Sequence, residues 1–474
     1  MKNVIVIGAG VAGLTAAICC AAKGHKVCVL EQGTTAGGVS TSWDRKGFHF
    51  EGGIHWLVGS TPGMRRIHRR WKQVGALREN NPLVFKDPVY VYRCGDVELN
   101  LWRDLSKVEK EMIDFAPQDS KAIRRFCRDI RLTRAFFCTV RSASDLMRRL
   151  VQVPAFIAAL PRIITRTSAE YSSMFSNPHL RRMTASLVDP SQNAISLVYT
   201  MACYSIGDNG YPEGGSTRLV RNMLEKAASL GVEIRYRSKV DKVCVKDGRV
   251  MGIKCGEEFY NADDVIVATD TAKAVSTMFD KPIAEKWVER LKRFSNPQTC
   301  MFLSLGVEDP LEDRHSSFRI FPEESLELAG LKQKLLWTTI YHDKTGYARE
   351  GSSCITVILF GDSYDYWKKA KEDGTYNEKK QEVTDAVIAE LEKHLPEIKG
   401  KIKVTDLATP LTYERYSLTH RGAWMSMWHK GEPPMSVPKT CSSIKGLHFA
   451  GFRTHLSGGL PVALNSGYKA ASGV

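Results

Sequence analysis

The sequence predicts an α/β fold in which separated segments build one parallel sheet. Three observations support this prediction. The amino-terminal residues have the pattern strand, glycine turn, helix, strand over about 30 residues. Residues 212–275 combine one helical run with several short apolar strands, and the tail from Gly446 has the pattern strand, glycine loop, helix. We therefore expect a discontinuous domain, with a second domain built from the segments between its pieces.

The first strand is predicted at residues 3–7, where NVIVI is a β-branched apolar run typical of a buried parallel strand. LTAAICCAAKG then has helical composition, and VCVLE predicts the second strand. Gly8, Gly10 and Gly13 lie between strand and helix in GxGxxG spacing. The first glycine allows a tight turn, the second lets the backbone approach a pyrophosphate, and the third lets the helix pack on the sheet. This Rossmann-like unit predicts a dinucleotide site at the helix amino terminus.

Glu31 ends the second strand, at the spacing where a carboxylate accepts hydrogen bonds from adenosine ribose hydroxyls. A carboxylate there argues against a 2′-phosphate, and therefore against NADP. Gly37 and Gly38 follow soon after, and a second glycine-rich turn can pass close to an extended cofactor. We therefore expect FAD rather than NAD.

Further elements are predicted along the chain. In the middle segment, VRNMLEKAASLG predicts a helix, and EIRYRSKV, KVCVKD, VMGIKC and DVIVATD predict strands. The DG turn between two of these strands indicates a hairpin. Three strands of a separate sheet are predicted at 298–308, 334–342 and 353–360, followed by a helix at 377–396 and a strand at 402–408.

The net charge of +15 is concentrated between Arg65 and Arg182. Residues 100–205 are mostly helical in composition, and LMRRLVQVPAFIAALPRIITR mixes Arg with large apolar residues. This composition suits a basic amphipathic surface on a membrane, or a helical insertion with an ordinary solvated face. Nucleic acid is not expected as a partner, because no binding module accompanies the charge.

Other compositional features narrow the class. No run reaches the roughly 18–20 apolar residues that span a bilayer, and the first residues do not form a signal peptide. We expect a cytoplasmic protein that is peripheral to the membrane. The twelve cysteines include no CxxC pair, so we expect reduced thiols and no metal site.

Several motifs resemble one superfamily. ExxxxxGG after the GxGxxG start, then GFHFEGG, is similar to the FAD-binding region of flavin amine oxidases and phytoene desaturases. YPEGGSTRLVRNMLEKAASLGVEIRYRSKVDKV, TPLTYERYSLTHRGAW and GLHFAGFRTHLSGGLPVALNSGYKAA resemble later segments of carotenoid desaturases and isomerases. GIHW at 53–56 looks most like the retinol saturase and carotenoid isomerase branch. The resemblance extends from residue 4 to about residue 471.

This resemblance implies an α/β architecture: a glutathione-reductase-type FAD domain with a mixed-sheet substrate domain and a helical cap. The FAD domain would comprise residues 1–60, 212–285 and 440–474, and the substrate domain residues 61–211 and 286–439, with the basic apolar insertion at about 100–205. The implied cofactor contacts are Gly8, Gly10, Gly13 and Glu31 at the adenosine diphosphate, Gly37 and Gly38 beside the pyrophosphate, Val240 at the adenine edge, Gly451 at the pyrophosphate and ribityl chain, and Gly459 and Leu460 at the flavin pyrimidine.

One position departs from the family pattern. An acid that holds the ribityl chain usually follows the glycine corresponding to Gly451, and here that residue is Phe452. Arg453 and Thr454 offer donors but no carboxylate. FAD is still expected, with weaker retention.

The resemblance implies flavin chemistry at C–C bonds of a polyene or isoprenoid lipid: desaturation, saturation or isomerisation. Such a substrate needs a long apolar channel, for which residues 146–164, 192–206 and 334–360 are candidates. Candidate proton-handling groups are His55, Glu414 and Arg421. An amine oxidase acting on C–N bonds, and a flavin-binding protein without catalysis, remain open alternatives. The sequence does not identify the electron acceptor.

Overall fold

The computed structural model describes residues 1–137, 143–294, 296–312, 314–342, 346–432, 436–455 and 458–474. It is a mixed α/β structure. The helices are α1 (Val11–Ala21), α2 (Arg65–Gln73), α3 (Leu105–Phe115), α4 (Ser120–Phe137), α5 (Ala143–Ile164), α6 (Ser168–Ser172), α7 (Pro178–Ala185), α8 (Ala194–Ser205), α9 (Gly215–Ser229), α10 (Thr271–Thr277), α11 (Lys286–Phe294), α12 (Tyr364–Glu372), α13 (Tyr376–His394), α14 (Pro410–Ser417) and α15 (Leu460–Ala471).

The strands fall into a parallel sheet, a large mixed sheet and several small antiparallel pairings. They are β1 (Asn3–Ile7), β2 (Lys26–Leu30), β3 (Ser42–Arg45), β4 (Phe48–Glu51), β5 (Leu83–Val84), β6 (Tyr90–Cys94), β7 (Val97–Leu101), β8 (Tyr211–Pro212), β9 (Glu233–Arg235), β10 (Lys242–Lys246), β11 (Arg249–Cys255), β12 (Glu258–Asn261), β13 (Asp264–Val267), β14 (Pro297–Gln298), β15 (Cys300–Val307), β16 (Ser317–Ile320), β17 (Leu326–Leu328), β18 (Leu331–Gln333), β19 (Leu336–His342), β20 (Ser353–Phe360), β21 (Ile402–Ala408), β22 (Met425–Ser426) and β23 (Leu447–Phe449).

The parallel sheet has the strand order β23-β13-β1-β2-β9, and every neighbouring pair is parallel. The central strand is buried from Val4 to Ile7, which explains its continuous apolar run. Helices α1, α9 and α15 pack together beside it. All five strands lie within residues 1–60, 212–285 and 440–474, although the exact domain limits remain a prediction. The glycine turn after β1 thus opens at the carboxyl edge of the sheet, where α/β folds bind ligands.

The large sheet has the order β21-β15-β20-β19-β16-β6-β7. Its central members, β15, β19 and β20, are the three strands predicted at 298–308, 334–342 and 353–360, and they pair antiparallel. Strand β16 pairs parallel with β6, so the sheet is mixed. The hairpin β6–β7 and the short strand β16 were not anticipated, since their runs are brief and interrupted by charged residues.

The middle segment differs from its prediction in one strand. EIRYRSKV was expected to be extended throughout, but β9 ends at Arg235 and Arg237 adopts a positive φ of 54°. The chain turns there because Arg237 and Ser238 donate their N–H groups to the carbonyls of Gly33 and Glu31. This turn brings residues 238–240 beside the second strand of the nucleotide unit.

The helical cap comprises α3 to α8 and has its own apolar core around Phe126, Ile130, Phe156 and Leu197. Helix α5 continues through Pro154 and Pro161. Among the helices within the described ranges, none has the length and apolarity needed to cross a membrane.

Candidate functional site

The amino-terminal glycine turn has the geometry that its spacing predicts. Gly8 has φ of 100°, and its N–H donates to Leu30 O at 2.8 Å. A Cβ on Gly13 would lie 1.9 Å from Gly8 O, so only glycine lets α1 pack this closely. A Cβ on Gly10 would have no neighbour nearer than 3.9 Å, in the backbone of Gly37 and Gly38. The space beside Gly10 is therefore open to a ligand.

Two helix amino termini face this space. Helix α1 begins after Gly10 and α15 after Gly459, and neither helix has a side-chain cap. Uncapped N–H groups and the helix dipole attract negative charge. Glu31 lies at the edge, where its carboxylate accepts from Ala9 N at 2.8 Å and Gly33 N at 2.7 Å. A carboxylate has about four acceptor positions, so Glu31 retains capacity for ribose hydroxyls.

A cavity of about 860 Å³ extends from Glu31 past the glycine turn into the protein interior. Nine of the ten predicted cofactor contacts line it; they are Gly8, Gly10, Glu31, Gly37, Gly38, Val240, Gly451, Gly459 and Leu460. Gly13 does not line it, in keeping with its packing role. Several cationic side chains also line the cavity: Arg66, Arg70, Lys239, Lys439 and Lys469. Open space, uncapped helix ends and these cations suit a pyrophosphate-bearing cofactor.

An acid from another part of the chain, Asp270, contacts the carboxy-terminal glycine loop. Phe452 lines the cavity, while Arg453 is buried and pairs with Asp270. Asp270 also accepts hydrogen bonds from the N–H groups of Ala272, Lys273 and His420. Its carboxylate is saturated by these donors, so it does not replace the acid absent after Gly451.

The inner part of the cavity is walled by aromatic rings. We call His55, Trp56, Trp337, Phe360 and Trp424 the aromatic box. Trp56 and Trp337 are stacked, with centroids 6.1 Å apart and an interplanar angle of 16°. The His55 ring lies 5.5 Å from Trp424 and 6.4 Å from Trp337. The cavity continues from the box along α8 and past Phe137.

His55 lies in this box, and neither of its ring nitrogens has a hydrogen-bond partner among the residues that the structure describes. Burial lowers the pKa of His55 to about 3, assisted by the positive charges of Lys86 and Arg319. The imidazole is therefore neutral over the physiological range. It can donate and accept hydrogen bonds, but a pKa this low makes it a weak proton carrier.

The loop bearing His55 is held by Glu51. This fully buried carboxylate accepts from six donors. They are the N–H groups of Gly53, Ile54 and Ser216 and the hydroxyls of Ser216, Tyr211 and Tyr347. Burial and the charge of Glu51 raise the pKa of Tyr211 and Tyr347 well above the usual range, so both remain donors.

Glu414 and Arg421 come together, but outside the cavity. Glu414 accepts from Tyr364 Oη at 2.6 Å, and the Arg421 guanidinium lies 4.7 Å from the Tyr364 ring centroid. Arg421 also pairs with Asp362 and Asp365. Neither residue lines the cavity, so their positions correct the expectation that they handle protons there. Tyr416, Ser417 and other residues between them do line it.

The channel prediction is met in part. Residues from 192–206 and 334–360 line the cavity, whereas no described side chain of 146–164 does. Phe137 and Val188 line it although neither was singled out. Trp56 and Trp424 were likewise not proposed, although each lies inside a motif quoted for the family resemblance. Both tryptophans lie close to glycine-rich turns in the sequence, and this could have identified them as candidates for the cavity wall.

Comparison with known proteins identifies the family. Residues 11–474 match the family described as flavin containing amine oxidoreductase. The chain belongs to this family. The match confirms the predicted superfamily, and the cofactor of this flavoprotein is FAD, as expected.

Its curated relatives are distant in sequence. Prolycopene isomerase 2 of an Oncidium hybrid cultivar is 24% identical, covering 95% of this chain and 79% of that protein. All-trans-retinol 13,14-reductase of Danio rerio is 22% identical, covering 95% of this chain and 82% of that protein. Phytoene desaturase of Pseudescherichia vulneris is 24% identical over 65% of this chain and 64% of that protein.

Solved structures share the fold. Putrescine oxidase bound to putrescine has a TM-score of 0.64 and 15% identity, covering 99% of this chain and 98% of that chain. An oxidoreductase from Methanosarcina mazei has a TM-score of 0.64 and 16% identity, with 98% of each chain covered. The flavoprotein therefore has the overall fold of flavin amine oxidases.

Gly10 and Gly13 provide a matched test of the cofactor site. We expect Gly10→Ala to fold normally and to lose most of its FAD, since the methyl group enters only the open space. Gly13→Ala should, in contrast, destabilise the protein. Its methyl group would overlap Gly8 O, and we expect the free energy of unfolding to fall by about 1–3 kcal/mol. Urea denaturation and the flavin absorbance of the purified proteins measure both effects. Equal FAD content in Gly10→Ala and wild type would contradict this assignment.

Glu51→Gln tests the support of the His55 loop. The amide places a donor among six donors, and we expect the free energy of unfolding to fall by roughly 1–3 kcal/mol. Asp44→Asn is the control, because this acid is exposed and its one ion pair among the described residues is with His49 on the same hairpin. Denaturant titration followed by tryptophan fluorescence compares the two variants, and equal stabilities would refute the role of Glu51.

Proposed function

We propose that this flavoprotein acts on C–C bonds of a hydrophobic polyene or isoprenoid lipid, by desaturation, saturation or isomerisation. One observation carries the proposal: the cofactor groove continues without a break into the aromatic box and a largely apolar compartment. Two of the relatives named above act, by their names, on prolycopene and on all-trans-retinol. Their identity is low, so the substrate class is inferred from both arguments together.

The compartment beyond the box suits an extended apolar ligand. Val188, Ile195 and Tyr199 line it, and Phe137 packs against Tyr199 with ring centroids 5.1 Å apart. Apolar and aromatic walls exclude water from a reacting double bond. Stacked indoles such as Trp56 and Trp337 also present flat faces to a conjugated chain. These walls would orient a polyene beside the cofactor.

The flavin, when bound, supplies hydride transfer. The residues of the chain orient the substrate and stabilise charge near the flavin. His55 remains neutral, so we propose that it orients a polar group by hydrogen bonding rather than carrying a proton. Gly459 would direct the amino terminus of α15 toward the flavin pyrimidine, where its dipole stabilises negative charge.

An amine oxidase is less well supported by the charges. Within the described residues, the acids lining the cavity are Glu31, Asp189 and Asp270. Glu31 lies at the adenosine end, Asp270 is saturated, and Asp189 accepts from Gln298 and Ser191. None of the three belongs to the aromatic box, and Lys86 and Arg319 direct positive charge toward it. A protonated amine would therefore be disfavoured there.

We also propose that the protein approaches a membrane with α5. One face of this helix exposes Leu146, Met147, Leu150, Val151 and Ile157, each with 52–75% of its surface accessible. Phe156 of the same helix packs near Phe137, which is 41% exposed and lines the cavity. The apolar face therefore lies close to the outer end of the apolar compartment. A lipid could enter from a bilayer along this route.

Turnover separates the candidate functions. We expect the flavin-loaded protein to isomerise, saturate or desaturate a cis-carotenoid or retinol, detected by chromatography, and to release no peroxide with putrescine. Peroxide from amines without polyene conversion would favour the amine oxidase. A flavin that no donor or substrate reduces or reoxidises would favour the non-catalytic alternative.

The double variant Leu150→Asp, Val151→Asp tests the membrane surface. Placing two charges on the apolar face should weaken partition to anionic vesicles by tenfold or more, since each buried apolar side chain contributes about 1.5–3 kcal/mol. Flavin content should not change. Met251→Asp with Phe259→Asp is the control, because these residues are also exposed but lie on the small sheet of β10–β12. Equal vesicle binding by wild type and the α5 variant would exclude this surface.

A further inference from the structure

Arg319 is a buried cation that no described carboxylate balances. It lies on β16 in the large sheet and is 3% exposed. Its Nε donates to Ser186 O at 3.0 Å, and Nη1 donates to Phe318 O at 2.9 Å and Ser317 Oγ at 3.2 Å. All these partners are neutral. A buried charge without a counter-charge is costly, so its presence calls for an explanation.

The guanidinium lies against the aromatic box. Its central carbon is 3.8 Å from the Trp337 ring centroid and 4.6 Å from that of Tyr90. Trp337 lines the cavity, so Arg319 is one side chain away from a bound ligand. Contact with two ring faces offsets part of the cost of burying the charge.

Lys86 is a second cationic group, which carries its charge below its pKa. Its ammonium lies 5.8 Å from the Tyr341 ring centroid, and no acid in the described part of the chain pairs with it. Burial and the charge of Arg319 lower the pKa of Lys86 to about 7. The charges of both residues reach His55. The potential in the box is therefore positive near the two nitrogens of His55, which have no hydrogen-bond partner in the described part of the chain.

We propose that the aromatic box binds a carboxylate carried by an apolar ligand, with His55 as its hydrogen-bond donor and Arg319 and Lys86 as the neighbouring cations. The same charges that disfavour a proton on His55 favour an anion beside it. A singly charged carboxylate suits the box better than a phosphate, because the donors of the box are the His55 ring and the indole N–H groups, and none of its five members is a cation.

This inference rests on the proposed function and narrows it: the substrate would be an apolar chain that ends in a carboxylic acid. The acid would bind in the box, and the chain would extend along α8 toward Phe137.

Binding measurements on the flavin-loaded full chain test the inference without turnover. The probes are all-trans-retinoic acid, methyl retinoate and all-trans-retinol, which share one polyene and differ at its end. Quenching of tryptophan fluorescence reports their affinities, because Trp56, Trp337 and Trp424 line the box. We expect the acid to bind at least tenfold more tightly than the ester or the alcohol. Equal affinities in wild type overturn the inference.

Substitutions of Arg319 and Lys86 test whether their charges produce the preference for the acid. Arg319→Met should remove most of the preference for the acid, and Arg319→Lys should keep much of it. Arg293→Met is the matched control, since Arg293 also lies over a ring, that of Phe294, but on the exposed helix α11. Lys86→Met is the second variant if Arg319→Met does not fold, and should also reduce the preference.

Two further outcomes are decisive. If Arg319→Met shifts the flavin reduction potential and leaves the acid preference unchanged, the cations serve the cofactor and the inference is wrong. If the acid preference holds but no polyene is converted, the proposed function fails and the carboxylate site stands.

Discussion

The buried carboxylate of Glu51 holds together parts of the chain that are far apart in sequence. Its two oxygens receive donors from the loop at 53–54, from Tyr211 and Ser216 near the start of α9, and from Tyr347 after β19. A single ionised group with six donors is satisfied only when all of these segments are in place. The position of His55, one residue beyond Ile54, follows from this network, and so does the shape of the box.

The same region combines two electrostatic environments. Around Glu51 the negative charge is fully matched by hydrogen-bond donors. Around His55, the positively charged groups of Arg319 and Lys86 contact only neutral groups among the described residues: carbonyls, hydroxyls and aromatic rings. Positive charge beside an apolar cavity repels a cationic amine, so this cavity is poorly suited to such a substrate. The fold is shared with amine oxidases, but fold alone does not determine the substrate; the charges at the site do.

The amino-terminal part of the cofactor site was accessible from the sequence because its contacts are local. Gly8, Gly10 and Gly13 act within one turn, and their spacing expresses constraints of backbone geometry that any strand–turn–helix unit must meet. Glu31 and the glycines at 37–38 follow along the same unit. The catalytic half was less accessible. Glu414 and Arg421 were chosen from a segment that does line the cavity, but on α14 and after it their side chains point to Tyr364 instead.

The sequence by itself determined the nucleotide unit and the central strands β15, β19 and β20 of the large sheet, since local periodicity and glycine spacing encode them. The superfamily was predicted from the resemblance of whole motifs to known proteins. Tertiary structure alone decided which side chains enclose the inner part of the cavity. Trp56, Trp337 and Trp424 come from three distant segments, and Arg319 approaches them only because β16 lies beside β19 in the large sheet. Strand order depends on long-range pairing, which no local pattern specifies, and burial turned an ordinary arginine and histidine into the charged and neutral groups of one site.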